Sequence, residues 1–112
     1  MKKIEAIIRK SKFEEVRDAL HDVGVNFLTY WDVTGVGNAK KGQVYRGVPY
    51  NTSDIPRRML SIVISDDFLD KTIATLIESA YTGKVGDGKI CVYQVEEAYR
   101  IRTKEEGDHS LK

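Results

Sequence analysis

Thr82-Gly83-Lys84-Val85-Gly86-Asp87-Gly88-Lys89 is the stretch on which the fold turns. Three glycines, two lysines and an aspartate stand between a helical apolar pattern and a strand-like run. Glycine lets backbone N–H groups come close to a ligand, and a row of such groups makes an anion-binding concavity. The lysines bring positive charge to the same place. Gly83, Gly88 and Lys89 also fall at the Walker A spacing, G-x-x-x-x-G-K. A Walker A loop needs Ser or Thr next, to hold the metal, with a strand before it and a helix after it. Here Ile90 follows and the order is reversed, which argues against a P-loop NTPase. Two readings remain: a phosphate cradle, or a glycine-rich turn joining helix to strand.

Upstream, Met59 to Ser65 reads as a strand, and Asp66 or Asp67 as the cap of a helix whose buried side is Phe68, Ile73, Leu76, Ile77 and Ala80. Downstream, Ile90 to Val95 reads as a strand. Arg100-Ile101-Arg102 reads as an extended segment with both guanidinium groups on one side. The polar tail, residues 103–112, is expected to fray. The first half repeats the order. Ile4 to Ile8 is a strand, and Ser11 with Glu14 looks like a capping box. Phe13, Val16, Leu20 and Val23 mark a helix over about 12–23, which Gly24 ends. Asn26 to Gly35 is the second strand. From Gly35 to about Asp54 the periodicity disappears, and a patternless loop of roughly twenty residues is usually functional or disordered. The order β-α-β-loop-β-α-β predicts a single α+β domain of ferredoxin-like type, with two helices on one face of a four-stranded antiparallel sheet. The other face is uncovered, and a second subunit is expected to cover it.

The 112 residues carry 18 Lys and Arg against 17 Asp and Glu, so nothing global points to nucleic acid or an anionic membrane. The lone Cys91 fits a reducing compartment and reads as a small buried hydrophobe. No run reaches the ~20 apolar residues of a spanning helix, and the start lacks a signal-peptide pattern. A cytoplasmic protein without membrane insertion is expected.

Four segments, in order along the chain, resemble the PII signal-transduction family: the opening Met1 to Arg9, Tyr45-Arg46-Gly47-Val48-Pro49-Tyr50, the run Thr82 to Ile90, and Arg100-Ile101-Arg102-Thr103. The resemblance implies a homotrimer that binds ATP or ADP in the clefts between subunits. It also implies a T-loop, about 36–55, that docks on a target protein such as a transporter or a nitrogen-assimilation enzyme. Gly86, Asp87, Gly88 and Lys89 would cradle the phosphates, and Arg100 and Arg102 would reach them from the neighbouring subunit. Gly35, Val36, Gly37 and Asn38 would line the nucleotide at the loop base, with Ile7, and with Thr29 and Val63 near the adenine. Lys40, Lys41, Gln43, Tyr45, Arg46 and Tyr50 would meet the target.

The chain also departs from the family's pattern. Ala39 stands where members that sense 2-oxoglutarate carry the Gln that holds magnesium, and Ala39 has no ligating atom. Arg57 stands at the keto-acid lysine, keeping the charge but not the geometry. Weak or absent 2-oxoglutarate binding is therefore expected, and no magnesium, unless the loop, one residue short, brings Gln43 to the place of the missing ligand. The alternatives are a conventional 2-oxoglutarate sensor, or a sensor of another small anion such as bicarbonate. Tyr50 aligns with the tyrosine that some members uridylylate, but its flanking residues differ and modification is not expected. No catalytic residue is assigned: the site motifs hold no nucleophile with a base, no paired carboxylates and no metal-ligand spacing, so at most an incidental ATPase remains. An RNA-binding reading lacks the aromatic strand motif it needs.

Overall fold

The computed structural model describes residues 1–36, 44–45, 48–49 and 54–111, the short middle pieces by their backbone alone. The elements are β1 (Lys2–Ile8), α1 (Phe13–Asp22), β2 (Thr29–Val36), β3 (Val44–Tyr45), β4 (Val48–Pro49), β5 (Asp54–Ile64), α2 (Leu69–Ala80) and β6 (Lys89–Gln94). Strands β2-β5-β1-β6 form one antiparallel sheet in that order. This is the ferredoxin-like arrangement expected from the element order. Strands β3 and β4 pair with each other inside the segment expected to lack structure.

Alternation along the strands decides the layers. Ile4, Ala6 and Ile8 of β1 and Leu60, Ile62 and Ile64 of β5 are buried on one face. Val16 and Leu20 of α1 and Leu76 and Ala80 of α2 cover that face. Helix α1 ends as its sequence predicts. Gly24 takes φ +94, its amide donates to His21 O at 3.0 Å, and the Val25 amide donates to Leu20 O at 2.9 Å. These paired bonds, with Val25 and Leu20 both buried, make a Schellman end.

The helix starts differ from expectation. A 3-10 turn over Lys10–Lys12 precedes α1 and another over Asp66–Phe68 precedes α2. Neither helix has a side-chain cap. The turns use Arg9 O and Ser65 O as first acceptors, and Ser11 falls inside its turn. Asp66 instead pairs with the Met1 ammonium at 3.0 Å. The buried stripe of α2 is also rotated, running through Thr72, Leu76 and Ala80 and leaving Phe68 and Ile77 exposed. The Thr72 hydroxyl donates to Phe68 O at 2.7 Å, which makes its burial inexpensive.

Strand β5 begins at Asp54, five residues before the apolar run. Pro56 lies opposite Thr34, beyond the last β1 pair at Ile8–Arg58. There β5 has a neighbour on one side only, and the missing proline N–H costs no ladder bond. The outer face of the sheet has no covering layer among the described residues. Trp31, Val63, Tyr93 and Cys91 are exposed there. Cys91 is thus not the buried hydrophobe expected, because its register opposite Glu5 places it on the uncovered side.

The C-terminal segment is neither extended nor frayed. The Lys104 amide donates to Arg100 O at 2.8 Å and the Arg100 amide to Glu105 O at 2.9 Å, closing a turn over Arg100–Thr103. A 3-10 helix, Gly107–Leu111, follows. Among the described residues no helix is long and apolar enough to cross a membrane.

Candidate anion-binding site

The run 82–88 joins α2 to β6 at the end of the sheet where β1 finishes. Its shape comes from one carboxylate. Asp87 accepts from the Thr82 amide at 2.9 Å, the Gly83 amide at 3.0 Å and Arg9 Nε at 3.0 Å, and also from the Thr82 hydroxyl. The Thr82 hydroxyl in turn accepts from the Lys84 amide at 3.1 Å. These donors, the Thr82 hydroxyl first, hold the Asp87 carboxyl far below its ordinary 3.8, against an opposing push from burial. The side chain of Asp87 is therefore an internal brace.

Two arginines grip the loop's carbonyls. Arg9 Nη2 donates to Val85 O at 2.9 Å. Arg57 donates to Gly86 O twice, from Nε at 3.1 Å and Nη2 at 2.9 Å, and to Pro56 O from Nη1 at 2.8 Å. Burial, and then the neighbouring Arg9 charge, lower the Arg57 pKa below its ordinary range. Among the described residues, no acceptor takes the amides of Gly86 or Gly88, while the Asp87 amide closes a turn toward Lys84 O. The loop thus has the Val85 and Gly86 carbonyls satisfied by guanidinium groups and the Gly86 and Gly88 N–H groups left over, with exposed Lys89 next in sequence. This is the chemistry of a nest for a polyanion.

Gly88 makes the close approach possible. Its φ is +105, and a Cβ there would lie 1.7 Å from Ile7 O. Ile7 also pairs with Lys89, so β1 and the loop touch directly. Behind the loop, between α2 and β6, lies an apolar cavity of about 400 Å3 that reaches Ile7, Gly88 and Lys89.

The structure separates the expected site residues into two groups. Ile7 and Gly86–Lys89 come together at the end of the sheet where β1 finishes. Gly35 and Val36 lie toward that same end, paired with Ile55 and Asp54. Thr29, Val63, Arg100 and Arg102 line a different cavity, of about 680 Å3, with Phe27 and Leu111. Val63 pairs with Lys3, four residues along β1 from Ile7, or about 13 Å. Thr29 lies on the β2 edge, three strand spacings from β6, or about 14 Å. One chain therefore presents two half-sites on opposite edges. Gly37, Asn38, Ala39, Lys40, Lys41, Gln43, Arg46 and Tyr50 lie outside the described residues, and Tyr45 is described by its backbone alone.

Sequence reasoning missed Arg9 and Thr82. Thr82 stands five residues before the carboxylate it braces, a local signal that could have been read. Arg9 reaches the loop only through the β1–β6 pairing, which no local pattern encodes.

Residues 1–105 match the family model described as nitrogen regulatory protein P-II. The chain is 45% identical over 112 residues to a nitrogen regulatory protein P-II of Haemophilus influenzae, covering 99% of this chain and 100% of the relative. A Pasteurella multocida protein of the same description is equally similar. Nitrogen regulatory protein P-II 1 of Escherichia coli K12 is 44% identical with the same coverage.

Proposed function

This chain belongs to the nitrogen regulatory protein P-II family, and on that premise we propose that it is a trimeric, cytoplasmic, non-enzymatic signalling protein that binds ATP or ADP between subunits. The observation that carries the reading is the division of the site. One edge offers free amides and Lys89, the other offers Arg100, Arg102 and the Thr29–Val63 wall. Each is incomplete alone, and a head-to-tail contact between copies unites them, closing to a ring when the rotation permits. Amides plus three cationic side chains suit a polyphosphate. The exposed outer face, with Trp31 and Tyr93, supplies apolar area for the same assembly.

The segment between β2 and β5 is the part proposed to meet a target protein, for example a membrane transporter. Its two feet are paired at Val36–Asp54 and Gly35–Ile55, so a change at the loop base passes straight into the sheet. The 2-oxoglutarate response is proposed to be weak or lost. Three of the five Arg57 N–H groups are already bonded to backbone carbonyls, which leaves two for a keto acid. No magnesium is proposed at this site, because Ala39 offers no ligand.

Titration calorimetry tests the reading. ATP and ADP are expected to bind, with no gain on adding magnesium and 2-oxoglutarate together. A clear gain in ATP affinity with the keto acid would restore the conventional nitrogen-sensor reading. Absence of any nucleotide binding would remove the proposal altogether.

A further inference from the structure

Arg57 lies on β5, and its side chain crosses to a loop 29 residues away. Two of its nitrogens converge on one carbonyl, Gly86 O, at 3.1 and 2.9 Å. A peptide plane has its C=O and N–H on opposite sides, so fixing the Gly86 carbonyl also fixes the direction of the Asp87 amide. Arg9 does the same for the preceding plane, holding Val85 O and so the Gly86 amide. Glycine φ values of +100 and +105 at Gly86 and Gly88 leave this segment free to flip unless something holds it.

We propose that Arg57 is a positioning residue, whose forked bond to the Gly86 carbonyl turns the amides of the loop toward a polyphosphate. The inference deepens the nucleotide-binding reading and rests on it for the identity of the ligand. It assigns Arg57 a role different from a ligand-contacting cation. Its charge neutralises the carbonyl side of the loop, and the ligand meets the amide side. Geometry therefore matters more than charge. Lysine at this position retains the charge, but its ammonium cannot reproduce the planar fork. The Gly86 plane would then be held by one bond at most.

The test compares wild type, R57K and R57M in titrations with ATP and with inorganic tripolyphosphate. Tripolyphosphate has no base and reports on the phosphate loop alone. R57K is expected to bind each ligand about tenfold more weakly, the cost of one lost charge-assisted hydrogen bond, and R57M, which loses both, more weakly still. Wild-type affinity in R57K would show that charge without the fork suffices and overturn the proposal.

Amide hydrogen exchange in the ligand-free protein supplies a readout that needs no ligand. The Thr82 and Gly83 amides, held by Asp87, should exchange about tenfold faster in R57M once the loop loosens. Unchanged exchange there also overturns the proposal. If wild type binds neither ligand, the nucleotide reading fails, and the exchange comparison still decides whether Arg57 orders the loop.

Discussion

Gly88→Ala is expected to abolish nucleotide binding and to lower the unfolding free energy by about 3–5 kcal/mol. The added Cβ would sit 1.7 Å from Ile7 O and 2.8 Å from Ile7 C, both backbone atoms of β1. Ile7 is paired on both sides, to Met59 and Lys89, so it has no room to retreat without opening the sheet. The residue would also have to hold φ +105, which an L side chain rarely adopts. Two control substitutions separate clash from conformational strain. At Gly86 the new Cβ meets Arg57 Nη2 at 2.9 Å and Arg9 Nη2 at 3.4 Å, the far ends of flexible side chains. At Gly107 it meets nothing within 4 Å. Gly107→Ala should cost about 1 kcal/mol from its left-handed backbone alone. Gly86→Ala should fall between the two. Chemical denaturation of the three variants checks the order. Equal losses at Gly88 and Gly107 would mean that β1 yields easily.

Asp87→Asn is expected to weaken ATP binding by about 30-fold while leaving the sheet folded. An amide side chain cannot accept from the Thr82 hydroxyl, two backbone amides and Arg9 together with the strength of a carboxylate. The loop would lose the brace that sets its shape. The pH dependence follows from the same contacts. The folded pKa of Asp87 is depressed, so its contribution is complete above the ordinary value of 3.8 and is lost as pH falls toward the lower folded value. Asp32, held down by hydrogen bonds from Arg58 and Lys10, and Asp66, held down by the Met1 ammonium, act in the same direction. The stability difference between wild type and the Asn variant, measured by denaturant titration, should therefore be constant from about pH 5 to 8 and shrink in acid. A difference that grew in acid would mean that Asp87 is unfavourably placed when charged.

Where a structural feature is local, the sequence discloses it. Gly24 ends α1 as expected, and the apolar run of β1 alternates as a strand over a helix layer should. The glycine run sits between α2 and β6, as its neighbours require. What escaped was decided by partners far along the chain. Ser11 lost its cap role to a 3-10 turn, and Asp66 lost its own to the Met1 ammonium. Pro56 concealed the first part of β5, since a proline looks foreign to a strand until its missing neighbour is known. The exposure of Cys91 depends on register with Glu5, and the grip of Arg57 on Gly86 depends on two crossings of the sheet. In the candidate site, residue types were legible and side-chain directions were not. The sequence places Asp87 in the cradle, but its carboxylate faces into the loop.

The placement of the half-sites on opposite edges has a genetic meaning. A chain damaged in its glycine loop still carries sound arginines, and a chain damaged at Arg100 and Arg102 still carries a sound loop. In mixed rings of the proposed kind, some junctions would join the sound loop of one to the sound arginines of the other. Two alleles that are each silent alone would then complement within one assembly, and a chain with both lesions would rescue neither.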